Sequence, residues 1–140
     1  MSKIAVVYWS GTGNTETMAS AVAEGIKEKG GEADMMTSAK FDDSLLDSYD
    51  PVAFGCPAMG DEVLEEDEFE PMFTACRPKL KDKKIALFGS YGWGDGEWMR
   101  NWEEDCKSDG AILACDSLIL CEVPTEEGLE QCKALGAALV

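Results

Sequence analysis

The sequence predicts an α/β fold, a parallel sheet with helices on both faces. Three observations support it. The apolar runs Ile4-Ala5-Val6-Val7, Val52-Ala53-Phe54 and Ile85-Ala86-Leu87-Phe88 show no alternation, as expected of strands covered on both sides. Between them lie segments whose apolar residues recur at helical spacing. Each run also delivers the chain into an unusual loop, and in an open parallel sheet such loops gather outside the carboxyl edge.

In chain order, the first strand covers Ile4 to Val7 and the first loop opens at Tyr8. Met18, Val22 and Ile26 then recur every fourth residue, with Ala19 and Ala23 beside them, and Gly30-Gly31 ends this first helix. Ala33 to Thr37 suits a short strand, and Leu45-Leu46 a helical turn. Pro51 opens the next strand, where a missing N–H does least harm, and the strand runs to Cys56. Glu68 to Arg77 reads as a helix with Phe69, Met72, Phe73 and Cys76 on one face and Pro71 in its first turn. Ile85 to Gly89 is a strand, Ser90 to Gly96 a loop, and the next helix carries Trp98, Met99, Trp102 and Cys106. Ile112 to Cys115 and Leu118 to Cys121 form one long strand bent at Asp116-Ser117, before a last helix with Leu129, Cys132, Leu135 and Leu139. With no repeat, linker or low-complexity segment, residues 1–140 are expected to make a single domain.

Composition narrows the function. The chain has 28 acidic and 12 basic residues, a net charge of −16 and no histidine. This disfavours nucleic acid and anionic membranes as partners and favours basic protein surfaces. Lack of histidine removes Ser-His and Cys-His catalysis. The six cysteines form no CxxC pair, and most lie in apolar segments, so they are read as reduced structural thiols. No apolar segment approaches the length of a signal peptide or membrane span; a cytoplasmic monomer is expected.

The first loop, Tyr8-Trp9-Ser10-Gly11-Thr12-Gly13-Asn14-Thr15, has the composition of a phosphate cradle. Gly11 and Gly13 permit a tight turn that aims N–H groups at one point. Ser10, Thr12, Asn14 and Thr15 add neutral donors, and the helix that follows presents its positive N-terminus. The loop has no lysine or arginine, and neither the GxxxxGKS/T pattern of nucleoside triphosphatases nor the GxGxxG dinucleotide fingerprint occurs. A single phosphate monoester fits this donor set. Taken alone, the cluster reads equally as a turn with a helix cap. The second loop adds Met59 and Gly60, the third Tyr91, Gly92, Trp93 and Gly94, a combination suited to a flat aromatic ligand, since offset stacking contributes about 0.5–1.5 kcal/mol beyond burial. Trp98 and Trp102, one turn apart, are assigned to the core.

With these residues in view, the chain resembles the short-chain flavodoxins, small FMN-binding electron carriers. The resemblance rests on Tyr8 to Glu16, on Ala58-Met59-Gly60-Asp61-Glu62 with the acidic run after it, and on Leu87 to Gly96; the order of elements agrees over the whole chain. It implies a flavodoxin-like doubly wound five-stranded parallel sheet in the order 2-1-3-4-5, with FMN at the switch point between strands one and three. It implies that Ser10, Thr12, Asn14 and Thr15, with the backbones of Gly11 and Gly13, bind the phosphate. Trp93 would flank one face of the ring and Met59, after Ala58, the other, while Glu62 accepts from the flavin N3–H. The peptide between Gly60 and Asp61 would turn over on one-electron reduction to present a carbonyl to N5. The backbone of Gly89, Ser90, Tyr91 and Gly92 would meet the pyrimidine end, with Gly94 in the same loop. Pro57 stands where some relatives have a serine donor, and Leu120-Cys121-Glu122-Val123 lacks the amide-bearing pair of others.

The resemblance thus implies a low-potential one-electron carrier shuttling between semiquinone and hydroquinone, not an enzyme, with the redox chemistry supplied by FMN. Asp61, Glu62, Glu65, Glu66, Asp67, Glu68 and Glu70 are expected to surround the ring, oppose formation of the anionic hydroquinone and dock basic faces of reductases and oxidoreductases. A flavin-dependent quinone or nitro reductase is the competing reading, and it needs an open pocket over the ring, which Trp93 and the second loop oppose. A phosphoacceptor receiver domain needs acids where Tyr8-Trp9-Ser10 and Cys56-Pro57-Ala58 stand.

Overall fold

The first apolar run becomes β1 (Lys3–Tyr8), and both of its faces are buried. Ala5 and Val7 enter one core, and Ile4, Val6 and Tyr8 enter the other, so nothing in the run needs to be polar. The structure, a computed structural model, describes residues 3–11, 13–59, 63–92 and 94–140. After β1 come α1 (Asn14–Glu28), β2 (Glu32–Thr37), a 3-10 turn (Leu46–Ser48), β3 (Val52–Gly55), α2 (Phe69–Cys76), β4 (Lys84–Tyr91), α3 (Glu97–Ser108), β5 (Ile112–Leu113), β6 (Leu118–Cys121) and α4 (Glu126–Ala137).

All strand pairs are parallel, in the order β2-β1-β3-β4-β5, as the resemblance implies. Two details differ from expectation. The last strand is broken rather than bent: β5 pairs with the start of β4, β6 with its end, and residues 114–117 lie between them. β4 also runs past Gly89 to Tyr91, because β6 supplies partners for Gly89, Ser90 and Tyr91. A smaller difference is that Pro51 lies just outside β3.

The sheet separates two cores. On one face, residues from α2 and α3 build an aromatic cluster in which Phe73 meets Phe54 edge-on at 5.1 Å, and Trp102 meets Phe69 and Phe73 edge-on at 5.5 Å each. Trp98 and Trp102 are core residues, each 2 % exposed, and the Trp98 indole N–H donates to the Cys56 carbonyl at 3.2 Å. On the other face, Met18, Val22 and Ile26 of α1 pack with Cys132 and Leu135 of α4. All six cysteines are free; burial pushes the thiols of Cys76, Cys106 and Cys132 up to about 12, whereas Cys121 is exposed. Among the described residues no helix is long and apolar enough to cross a membrane.

The α1–α4 contact is backbone against backbone. A Cβ on Gly136 would lie 2.1 Å from the Val22 carbonyl oxygen, and one on Gly25 would lie 2.1 Å from that of Lys133. Alanine at position 136 improves helix propensity by about 1 kcal/mol, but overpacking typically costs about 1–3 kcal/mol, and a backbone carbonyl cannot turn away as a side chain can. Gly136→Ala is therefore expected to lower stability by about 1–2 kcal/mol in urea unfolding. A stabilised variant would mean that propensity outweighs this contact.

Candidate functional site

Because the strands are parallel, β1, β3, β4 and β6 end at one edge of the sheet. The chain leaves β1 for β2 on one side and later places β3 on the other, so the crossovers diverge between β1 and β3 and leave a crevice. A cleft of about 240 Å³ lies at this edge. The first loop contributes Trp9, Ser10, Gly11, Asn14 and Thr15, and the second Pro57, Ala58 and Met59. Ser90, Tyr91 and Gly92 line it from the end of β4, and Glu122 from the residue after β6.

The first loop is folded onto itself before any ligand is considered. Gly13 sits at φ +95°, a left-handed value that glycine adopts cheaply, and its N–H donates to the Ser10 hydroxyl at 3.0 Å. From this turn α1 begins with no side-chain cap, and among the described residues no side chain accepts from the N–H groups of its first turn. Thr15, 1 % exposed, shares a hydrogen bond of 2.8 Å with the Ser90 hydroxyl, linking the first loop to the third. Trp9 explains the neighbouring glycine in part: a Cβ on Gly11 would stand 3.0 Å from the indole.

The second loop is tied at both ends. Ala58 N–H donates to the Ser90 carbonyl at 3.0 Å, while Met59 and Val63 exchange N–H···O bonds of 2.8 and 3.0 Å and so pair with each other across the loop. Its exit is held by Glu65, whose carboxylate accepts from the N–H groups of Asp67, Glu68 and Phe69 at 2.8, 2.7 and 2.8 Å. Burial pushes this carboxyl's pKa up, but the three backbone donors outweigh that and hold it below the usual value. In the third loop the Tyr91 ring leans on Trp98 at 5.6 Å. Glu122, at φ +57°, donates its N–H to the Tyr91 carbonyl at 2.7 Å.

Of the residues expected at the site, Ser10, Gly11, Asn14, Thr15, Ala58, Met59, Ser90, Tyr91 and Gly92 are brought together. Gly13, Gly89 and Gly94 do not line the cleft. Gly13 shapes the loop behind it. Gly89 lies inside the sheet, where a Cβ would stand 2.1 Å from the Cys56 carbonyl oxygen, and Gly94 is exposed. Thr12, Gly60, Asp61, Glu62 and Trp93 lie outside the described residues. Trp9, Pro57 and Glu122 line the cleft without having been expected there as binding residues, although the sequence offers the aromatic at the strand end and two departures from the family pattern as pointers.

The expected ring of acids needs one correction. Glu65 is 5 % exposed and its oxygens are committed to the start of α2, so it does not belong to a solvent-facing rim. Glu66, Asp67, Glu68 and Glu70 are exposed. Among the described residues no lysine or arginine lines the cleft, and of their carboxylates only that of Glu122 does. Neutral donors and a helix N-terminus suit a phosphate, and the walls formed by Pro57, Ala58 and Met59 on one side and Tyr91 on the other suit a flat ring. The described residues thus fit a flavin mononucleotide.

The family model described as flavodoxin matches residues 6–136. Flavodoxin from Megasphaera elsdenii is 45% identical over 138 residues, 96% of each chain, and flavodoxin from Clostridium beijerinckii is 48% identical over 121 residues, 86% of this chain and 88% of the relative. The solution structure of two-electron reduced Megasphaera elsdenii flavodoxin agrees with a TM-score of 0.89 at 42% identity over 97% of both chains. A flavodoxin from the domain Archaea gives 0.87 at 26% identity, covering 98% of this chain and 95% of the other. With the sheet order and the switch-point cleft, these matches identify the chain as a member of the flavodoxin family, FMN-binding flavoproteins that transfer electrons and are not enzymes.

Proposed function

We propose that this chain is a single-domain, monomeric cytoplasmic flavodoxin that uses non-covalently bound FMN as a low-potential one-electron carrier. The observation that carries this reading is the cleft at the β1/β3 switch point, lined by neutral donors and no cation among the described residues. When bound, FMN supplies one-electron chemistry, shuttling between semiquinone and hydroquinone.

The protein's part is to bind, orient and set the field. Ser10, Thr12, Asn14 and Thr15, with the N–H group of Gly11, hold the phosphate, while Gly13, whose N–H is bonded to the Ser10 hydroxyl, shapes the loop behind them. The uncapped first turn of α1 and the buried position of Thr15 support this. Met59 and Trp93 take the two faces of the ring and Glu62 its N3–H, with Ala58 and Asp61 in the same loop. Ser90, Tyr91 and Gly92 shape the opposite wall, with Gly89 packed behind them in the sheet and Gly94 further along the loop, and the Gly60–Asp61 peptide offers a carbonyl toward N5. Since the first loop brings no cation, the phosphate keeps its charge. With Glu122 and the exposed Glu66, Asp67, Glu68 and Glu70, it lowers the affinity for a further electron. The same exposed acids suit docking to redox proteins with basic surfaces, reductases and oxidoreductases among them.

Purified protein should be yellow and pass through a blue form on partial anaerobic reduction; a colourless protein that ignores added FMN would overturn the reading. Thr15→Val keeps the shape but removes one hydroxyl and leaves Ser90 unpaired, and it is expected to weaken FMN binding about tenfold by fluorescence titration, the equivalent of about 1.4 kcal/mol. Gly60→Thr should reduce the yield of the blue form, and Trp93→Ala should weaken FMN binding and raise the hydroquinone potential. Shifts of tens of millivolts are expected, about 59 mV being tenfold for one electron. Unchanged potentials in both variants would sink the site assignment. Electron transfer to a basic partner should slow as salt is raised from about 0.01 to 0.5 M, because exposed charges are screened beyond a few ångströms there; a rate indifferent to salt would remove the docking role of the acids.

A further inference from the structure

Glu65 is a buried anion outside the cleft. It makes no ion pair with a lysine or arginine among the described residues, yet five contacts converge on it. Its side-chain oxygens accept from three N–H groups at the start of α2. Its carbonyl accepts from the Glu70 N–H at 2.8 Å, and its own N–H points to the Cys56 sulfur at 3.4 Å. Cys56 opens the second loop, and its N–H is in turn held by the Phe88 carbonyl at 3.1 Å. The exit of the loop is therefore fastened both to its own entrance and to a helix.

We propose that Glu65 is the positioning residue of the second loop: by joining the start of α2 to Cys56 it clamps the exit of the loop and holds Val63 in its pairing with Met59. The redox consequence rests on the function proposed above; the mechanical part does not. A turn whose feet are fixed gives up little conformational freedom when the Gly60–Asp61 peptide reorients, whereas a loop free at one foot must be ordered at the same moment. The clamp thus favours the state in which that carbonyl meets the flavin.

The residue type follows from the donors. Both carboxylate oxygens accept, one from Asp67 and the other from Glu68 and Phe69. Glutamine has one acceptor oxygen; its amide nitrogen must face a backbone N–H, so Glu65→Gln keeps at most two of the three bonds, and Glu65→Ala keeps none.

The test is amide hydrogen exchange, followed by NMR on cofactor-free and FMN-loaded protein, for Glu65→Gln, Glu65→Ala and a control, Val22→Ala, which creates a cavity in the opposite core. Rates are compared at equal global stability. In Glu65→Ala the Met59 and Val63 amides should exchange about tenfold faster than in the control, with Glu65→Gln between them. In the loaded protein the same series should show a falling yield of the blue one-electron form, while the control keeps the wild-type yield. Equal Met59 and Val63 rates in the Glu65 variants and the control would overturn the clamp. If Glu65→Ala fails to fold, Glu65→Gln decides on the same criterion. If the wild type binds no FMN, the proposed function fails, while exchange in the cofactor-free protein still decides the role of Glu65.

Discussion

The site depends on β4 holding its register beyond the end of its apolar run. Gly89, Ser90 and Tyr91 pair with Ile119, Leu120 and Cys121 of β6, so the third loop starts from a strand held on that side. Ser90 then joins the other loops to it. Its carbonyl accepts from Ala58 at the entrance of the second loop, and its hydroxyl shares a buried hydrogen bond with Thr15 at the start of α1. A buried hydroxyl left without a partner costs about 1–3 kcal/mol, so displacing any one loop is opposed by its neighbours. The loops are mutually fastened, which suits a cofactor that must be oriented before it can exchange electrons with a partner.

Charge is distributed with the same economy. In a protein of net charge −16 the start of α1, without a side-chain cap among the described residues, concentrates partial positive charge beside the polar side chains of Ser10, Asn14 and Thr15. The start of α2 has the same unsatisfied donors, but there Glu65 occupies them from within the chain. The two helix N-termini thus differ: on the proposed reading one faces the phosphate of FMN, and the other is closed by the chain's own Glu65.

The sheet was legible because the strands are covered on both faces: Val6 and Val7 point to different cores, so the run could not alternate. The helices were legible from their buried faces, and Trp98 and Trp102 could be assigned to the core from their one-turn spacing alone. The break between β5 and β6 and the extra length of β4 were not legible, because both are set by pairing across the sheet rather than by local propensity. Within the site, the residue types of the first loop suited either a phosphate cradle or a capped turn, and the structure places Ser10, Asn14 and Thr15 in the lining of the cleft. Glu65 could not be told from Glu66 or Asp67 in a run of acids, since only the turn of the chain decides which carboxylate faces inward. Gly89 shows the reverse: the glycine was visible, but its packing reason, the Cys56 carbonyl 2.1 Å from where a Cβ would sit, belongs to the fold.

What the chain withholds follows from the same chemistry. There is no histidine to titrate near neutrality, and burial raises the thiols of Cys76, Cys106 and Cys132 to about 12, far above the range in which a thiolate nucleophile would be useful. Cys56, next to the second loop, is pushed up by burial as well and serves as an acceptor for the Glu65 N–H. Glu65, at the exit of that loop, is committed to backbone donors. The described residues of the cleft, neutral apart from Glu122, supply shape, hydrogen bonds and a negative field, which an electron carrier needs.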